Sequence, residues 1–579
     1  MTFATPYEGF FDAKDSEITV FDLETNLAHT AIWCSGWESL DGTKGMSLAA
    51  QEARESFSEA KFLVAHNGLT FDFPVAERVW AAKGSEGCTN IDSMVLAMLL
   101  KPNPGLNSFG LDTLVKQYLP GLGYAKLSIE KHEFDLGLTP KMLEYCERDV
   151  EITAKLVKEL RRRLQAAKFS TLSIAVEHEV AKIINRQCEH GVLLDEAKAM
   201  MASAELHDTI GAIKTKMELE FEPNVKVLKT KTKYTPFNPG SRQQIADRLI
   251  KRGWKPTKQT PTGRPKVDED TLGELETLGH PEALAIASFL KLSKIVGMID
   301  KYISYADPKG RIHGKVMANG AVTGRMTHSQ PNLGNIPAKD LIWGPRCREL
   351  FTVPKDFVMV GCDAKSLEER MLAHYINDPV YTEAAMGDGH SYRRDILGLP
   401  QDKEGRGVAK TWFYAFLYGA GDAKLGSILV PTAPARMQTK KGAESRALFT
   451  KAIPGLQKLL DKLTKISKVA GNVPGLDGRR IEVRSQHAML NSLLQGAGAV
   501  VMKVALILAD RKLTHLREQG KFEFILNVHD EFQAEAYKDV AEEVKQAFLD
   551  SMLEAGEFLG VRLPVEGDAH IGNNWSETH

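Results

Sequence analysis

Residues 524–536 read Phe524-Ile525-Leu526-Asn527-Val528-His529-Asp530-Glu531-Phe532-Gln533-Ala534-Glu535-Ala536. The pattern is strand, tight turn, strand, with apolar runs on both sides of two adjacent acids. Acids at a hairpin tip are ordinarily solvated turn residues. Here the flanks are apolar enough to lie in a buried sheet, so the tip emerges from a core. A second apolar run, Phe357-Val358-Met359-Val360-Gly361-Cys362, also ends in an acid, Asp363. The chain then turns through Ala364-Lys365-Ser366 into a helix with Leu367, Met371 and Leu372 facing inward. Asp363 and Asp530 are thereby placed to share two metal ions.

Between these two acids lies Gly405-Arg406-Gly407-Val408-Ala409-Lys410-Thr411-Trp412-Phe413-Tyr414-Ala415-Phe416-Leu417-Tyr418-Gly419, a helical pattern stopped by glycine. Arg406, Lys410, Tyr414 and Tyr418 step by four and form a slowly turning stripe. Two cations and two aromatic rings on one stripe suit a triphosphate and a stacked base. No G-x-x-x-x-G-K-[ST] occurs in the chain, so a nucleotide is held without a P-loop.

The front of the chain carries a different acidic set. Phe21-Asp22-Leu23-Glu24 follows a short β-type run and puts two carboxylates at i and i+2, on one face of a strand. Like charges that close call for a cation between them. A second β-type run, 61–66, leads to Asn67-Gly68-Leu69-Thr70-Phe71-Asp72, which brings Asp72 towards the first strand. Leu143 to Leu164 has helical spacing, and within it Tyr145 and Asp149 share a face at i and i+4.

These three motifs, in this order, resemble the DEDD superfamily of 3′–5′ exonucleases in its tyrosine variant. The resemblance implies metal ligands at Asp22, Glu24, Asp72 and Asp149, with Tyr145 orienting the attacking water. The acids and stripe of the back half are similar to motifs A, B and C of the family A DNA polymerases, in wording nearest to those of short-tailed lytic phages. Other segments extend the likeness: Thr323-Gly324-Arg325-Met326-Thr327-His328, Pro331-Asn332-Leu333, Cys347-Arg348, Leu476-Asp477-Gly478-Arg479 with Arg484, and Leu494-Gln495-Gly496-Ala497-Gly498.

What the resemblance implies can be stated by residue. Asp363 and Asp530 look like the catalytic ligands of two magnesium ions, with manganese as a substitute. Glu531 supports the primer end and His529 touches the primer strand. Arg406, Lys410 and His390 clamp the triphosphate. Glu368 resembles the steric gate against a ribose 2′-hydroxyl, with Tyr414 packed on it. Tyr418 stacks near the templating base. Arg325 and Gln495 read minor-groove acceptors. The implied partners are primer–template DNA, dNTPs and a replisome helicase–primase, with the protein a monomer. The basic link 223–240 is short, so a thioredoxin clamp is not expected. Its Lys226, Lys229, Lys231 and Lys233 are instead expected to contact duplex phosphates.

The fold expected is an α/β exonuclease domain, ribonuclease H-like, over 1–165, followed by a right-hand polymerase domain. That domain has a helical thumb over 175–310, an α+β palm over 311–385 and 485–579, and helical fingers over 386–484. Residues 173–220 read as one long helical stretch, and after Gly310 short β-runs are expected to alternate with helices.

Composition fits this picture. The chain has 579 residues, 43% of them hydrophobic and 26% charged, which excludes a predominantly disordered chain. The net charge of −1 hides an acidic front and a basic remainder, the latter suiting a polyanionic partner. No membrane span is expected, and Met1-Thr2-Phe3-Ala4-Thr5-Pro6 does not read as a secretory signal. Six scattered cysteines without a C-x-x-C argue against a disulfide framework or a zinc site, and a reducing cytoplasmic setting is expected. Two rival readings are an exonuclease with an inactive polymerase half and a non-catalytic DNA-binding subunit. The full set of acids in both halves speaks against each.

Overall fold

A computed structural model describes residues 3–81, 87–102, 109–123, 129–227, 229–337, 342–483 and 485–579. Arg484 lies outside the described residues.

The front unit is built on a five-stranded sheet in the order Lys44–Ser47, Ile32–Ser39, Ile18–Thr25, Phe62–Ala65, Thr89–Asp92. The first three strands are antiparallel and the last two run parallel to the central one. Ile18–Thr25 sits in the middle and is buried along nearly its whole length. Helix Pro140–Ala166 packs on this strand and on Ile32–Ser39. Thr139 starts it by accepting the Met142 N–H, and Pro140 follows at the first helical position.

The back unit centres on a four-stranded antiparallel sheet in the order Phe522–Val528, Glu531–Tyr537, Phe357–Ala364, Gly567–Gly572. Its register sets Asp363 directly opposite Glu531 on one side and Asp568 on the other. Helix Ala541–Phe558 covers this sheet, and helix Met489–Lys512 packs against that helix in the same core. Helix Met489–Lys512 is long and apolar enough, by length and composition alone, to cross a membrane, with a mean hydropathy of 1.8 over an 18-residue window. It is 94% buried in that window, as a helix in the middle of the core is.

The stretch 173–220 is not one helix. Gly191, at φ 71°, ends helix Thr171–His190, and the strand Val192–Leu194 precedes helix Glu196–Glu220. That second helix pairs with Glu282–Tyr305 to form a stalk. Beyond it, the hairpin Asn224–Val227 with Thr232–Thr235 projects almost fully exposed. Lys226 and Lys233 face each other directly across it. Nor do strands alternate with helices after Gly310 as expected, for 367–470 is helical throughout its regular elements.

One continuous core joins the units. Phe3, Tyr7 and Phe10 are buried in the same cluster as Val360, Leu508 and Phe548. Phe3 meets Phe558 with ring centroids 5.3 Å apart.

Two candidate acidic centres

In the front unit, Asp22, Glu24, Tyr145 and Asp149 line one cleft of about 610 Å³. The strand supplies the first two and the long helix the others. Burial pushes the Glu24 carboxyl up to about 9, with the charges of Asp22, Cys34, Asp149 and Asp72 adding to the effect. Asp72, the first residue of helix Asp72–Trp80, is raised well above the usual range by burial, then by Asp22 and Asp92. Its Oδ1 is buried without a hydrogen-bond partner among the described residues. An oxygen-rich acidic set that cannot comfortably ionise, with an orphaned carboxylate atom beside it, fits a hard divalent cation.

In the back unit, Asp530 and His529 form the turn of the predicted hairpin, while Glu531 belongs to the returning strand. His529 adopts φ 55° and its Nε2 lies 3.2 Å from the Gly334 carbonyl. Both Glu531 oxygens are engaged: Oε1 accepts from Trp575 Nε1 at 2.7 Å, and Oε2 lies 2.5 Å from His579 Nδ1. Asp363 is exposed at the end of its strand. Burial raises the Asp530 carboxyl, and Arg325 counters it.

Arg325, the residue expected to read minor-groove acceptors, bridges two acids in the DNA-free chain. Its Nη2 donates to Asp530 at 3.0 and 3.3 Å and to Glu368 at 3.1 Å. A guanidinium on these acids shows that they demand positive charge, which fits a cation site. Gly324 holds the loop in place: its φ is +81°, and a Cβ there would come within 2.7 Å of Arg479 Nη1. Gln495 and Tyr418 join the same cluster through a side-chain hydrogen bond that helps hold the Tyr418 hydroxyl.

The stripe lies on helix Lys403–Leu417, capped by Asp402, which accepts the Gly405 N–H at 2.7 Å. Tyr418 falls just past its end. Arg406 is paired with Asp388 at 3.0 Å, whereas Lys410 is exposed and makes no ion pair with any described residue. Burial and the nearby cations Arg393, Arg406 and Lys410 push the His390 imidazole down to about 4. The Tyr414 hydroxyl rises to about 12 through burial and the charges of Glu368 and Glu369. A line of neighbours therefore runs from the stripe through Tyr414, Glu368 and Arg325 to Asp530.

Several supporting residues, Arg393, Glu177 and Lys503 among them, escaped the sequence reading, and Asp477 and Arg479 were singled out there only as part of the family likeness. Arg393 is fully buried, pairs with Glu369, lies 3.8 Å above the Phe413 ring and touches His390. Lys503 Nζ donates to Glu177 at 2.6 and 2.8 Å, and Arg479 Nη2 bridges Glu177 and Asp477 at 2.6 Å each. All four of these side chains are buried. The spacing His390–Arg393, i to i+3, is the one local signal that could have singled out Arg393.

Comparison with known proteins agrees with this layout. The family described as 3′-5′ exonuclease matches residues 14–165, and DNA polymerase family A matches 208–577. The chain is 35% identical over 391 residues to the DNA-directed DNA polymerase of Enterobacteria phage T3, covering 60% of this chain and 54% of that protein. It therefore spans about half the length of that relative. DNA polymerase I of Aquifex aeolicus is 26% identical over 533 residues, covering 89% of this chain and 88% of that protein. The POL domain of Pol1 from M. smegmatis, solved in complex with a DNA primer-template and dNTP, has a TM-score of 0.78 at 20% identity. That match covers 100% of this chain and 98% of the other, and it shows a common right-hand fold. With its family match running over most of the chain, this protein belongs to the family A DNA polymerases, with a 3′-5′ exonuclease domain ahead of the polymerase body.

Proposed function

We propose that the chain extends a primer 3′ end with dNTPs on a DNA template, and removes mispaired 3′ nucleotides with its front unit. The observation that carries this reading is the meeting of Asp363 and Asp530 at neighbouring strand ends, linked through Arg325, Glu368 and Tyr414 to the Arg406–Lys410 stripe. Both families use divalent metal ions. The all-oxygen donor sets favour magnesium, held by Asp363 and Asp530 in the palm and by Asp22, Glu24, Asp72 and Asp149 in the exonuclease. Bound there, the ions supply Lewis-acid stabilisation for in-line phosphoryl transfer.

The chain's own groups do the rest. Lys410 and Arg406 neutralise the triphosphate and the departing pyrophosphate, with His390 beside them. Glu368 and Tyr414 close the space beside the sugar 2′ position, and Tyr418 offers a stacking face. Arg325 exchanges Asp530 and Glu368 for minor-groove acceptors when DNA is bound, next to Gln495 and His529. Glu531, gripped by Trp575 and His579, fixes the hairpin that presents Asp530. Tyr145 orients the hydrolytic water. The same reading takes the protein as a cytoplasmic monomer that works with a helicase–primase.

Asp530→Asn tests the assignment against Asp22→Ala. The first should abolish primer extension and leave 3′ shortening intact, and the second should do the reverse. Extension that survives Asp530→Asn would overturn the palm assignment.

A further inference from the structure

The loop 318–326 joins strands Lys315–Met317 and Thr327–Ser329 and carries Arg325 to the palm acids. Its tip is a tight turn: the Ala321 N–H donates to the Arg325 carbonyl at 3.1 Å, and the Gly324 N–H to the Ala321 carbonyl at 2.8 Å. Against this turn stands Arg479, only 3% exposed. Its Nη1 is buried without a hydrogen-bond partner among the described residues, and lies 2.7 Å from where a Cβ on Gly324 would be. We propose that Arg479 is a positioning residue for Arg325, holding the turn in place and so fixing how Arg325 reaches the DNA minor groove.

Three features support it. Arg479 is itself tightly held: Nε donates to both Asp477 carboxylate oxygens at 2.9 Å, and Nη2 to Asp477 and to Glu177 at 2.6 Å each. Carboxylates on two edges of a planar guanidinium fix its plane and direction, which leaves the Nη1 edge as a stop against Gly324. Lys503 on Glu177 balances the second acid, so the buried group is neutral as a whole. Asn319 is the turn's other neighbour. Its Oδ1 is buried without a partner among the described residues, 3.6 Å from the same Cβ position, and its Nδ2 donates to the Met98 carbonyl of the front unit at 3.3 Å. Finally, the turn has little slack towards the core, where a Cβ on Gly496 would meet the Thr323 carbonyl oxygen at 3.4 Å.

With the backbone of the turn held, Arg325 has only to rotate its side chain when it leaves Asp530 and Glu368 for the minor groove. Arg479→Lys keeps the buried charge but loses both the fork that the acids grip and the Nη1 edge, so the turn loses its stop. Gly324→Ala leaves the charged group intact and drives a methyl group against the guanidinium instead. Both changes should send Arg325 astray without touching it.

The inference rests on the reading above that Arg325 meets minor-groove acceptors. The test is single-turnover addition of one dNTP, by the full chain, to a primer ending in guanine or in 3-deazaguanine, which lacks the ring nitrogen facing the minor groove. Wild type should be slower on 3-deazaguanine by about tenfold or more, the worth of a hydrogen bond to a charged group. Arg325→Ala should erase that ratio, and Arg479→Lys should bring it close to one. The ratio is taken within each variant, so a general loss of folded protein does not move it. Arg479→Lys that keeps the wild-type ratio would overturn the proposal. Should that variant not fold, Gly324→Ala decides in its place by the same criterion. Hydrogen exchange of the DNA-free chain gives the second readout. Amides of 318–326 should exchange about tenfold faster in Arg479→Lys than in wild type, relative to those of Ala541–Phe558. If exchange quickens while wild type itself ignores 3-deazaguanine, Arg479 stands as the support of the turn and the minor-groove reading fails. If wild type discriminates and Arg479→Lys discriminates equally, the positioning role fails alone.

Discussion

Acid should loosen the joint between the two units at a single imidazole. His178 is fully buried on helix Thr171–His190. Its Nε2 accepts the Asp92 backbone N–H at 2.9 Å, which leaves Nδ1 to donate to the Ile174 carbonyl at 2.8 Å. The ring is therefore neutral, and burial holds its pKa down at about 4, with Lys182 lowering it further against Glu179. In the unfolded chain it titrates at about 6.5. Between those values the unfolded state binds the extra proton, so the stabilisation is complete above about 6.5 and is lost as pH falls towards 4. At about 1.4 kcal/mol per unit, acidification from pH 7 to 4 removes about 3 kcal/mol through this group. Urea unfolding of wild type and His178→Gln across that range isolates it, because glutamine offers both an acceptor and a donor but does not titrate. The wild-type advantage should shrink by about 3 kcal/mol from neutral to acid pH. A difference between the two proteins that stays constant from pH 7 to 4 would refute the reasoning.

Lys410→Ala should cut the rate of nucleotide addition by about 10²–10³-fold without lowering the melting temperature, since it breaks no ion pair with a described residue; pre-steady-state extension and thermal melting check the two halves. Glu177→Gln strands Lys503 and part of Arg479 in the core and should cost about 3–5 kcal/mol in urea unfolding. Adding Lys503→Met should recover part of that loss, giving a non-additive cycle. Replacing Lys226, Lys229, Lys231 and Lys233 with alanine should flatten the dependence of log DNA affinity on log salt by about 0.9 for each phosphate no longer neutralised. An unchanged slope would mean that this hairpin does not touch the duplex.

Both acidic centres were legible because their members are short-range patterns: Asp22 and Glu24 at strand spacing, Tyr145 and Asp149 a helical turn apart, Arg406 to Tyr414 on one stripe. What holds them is written across the chain instead. His178 reaches Asp92 over 86 residues, Lys503 reaches Glu177 over 326, and Trp575 reaches Glu531 over 44. No periodicity marks such partners, since a buried ion pair leaves each charged residue looking like an ordinary surface one. The position of Arg325 on Asp530 was hidden for a related reason: a guanidinium competes for whichever acceptors are at hand, and the local sequence names several. Gly191 was a missed stop because a left-handed glycine inside an apolar run reads as a tolerated helix residue until φ is known.

The order of synthesis gives the palm sheet a further meaning. The strand bearing Asp363 lies between two strands that leave the ribosome only near the far end of the chain. The front sheet, by contrast, draws on Ile18 to Asp92 and is covered once Ala166 has emerged. A nascent chain thus completes its degradative pocket early and assembles its palm acids last, after the slow long-range pairing that delays folding. Premature termination between Phe558 and Gly567 would leave Asp363 on an unpaired edge, while the front sheet would keep its contacts with Thr171–His190, Arg511 and Phe558.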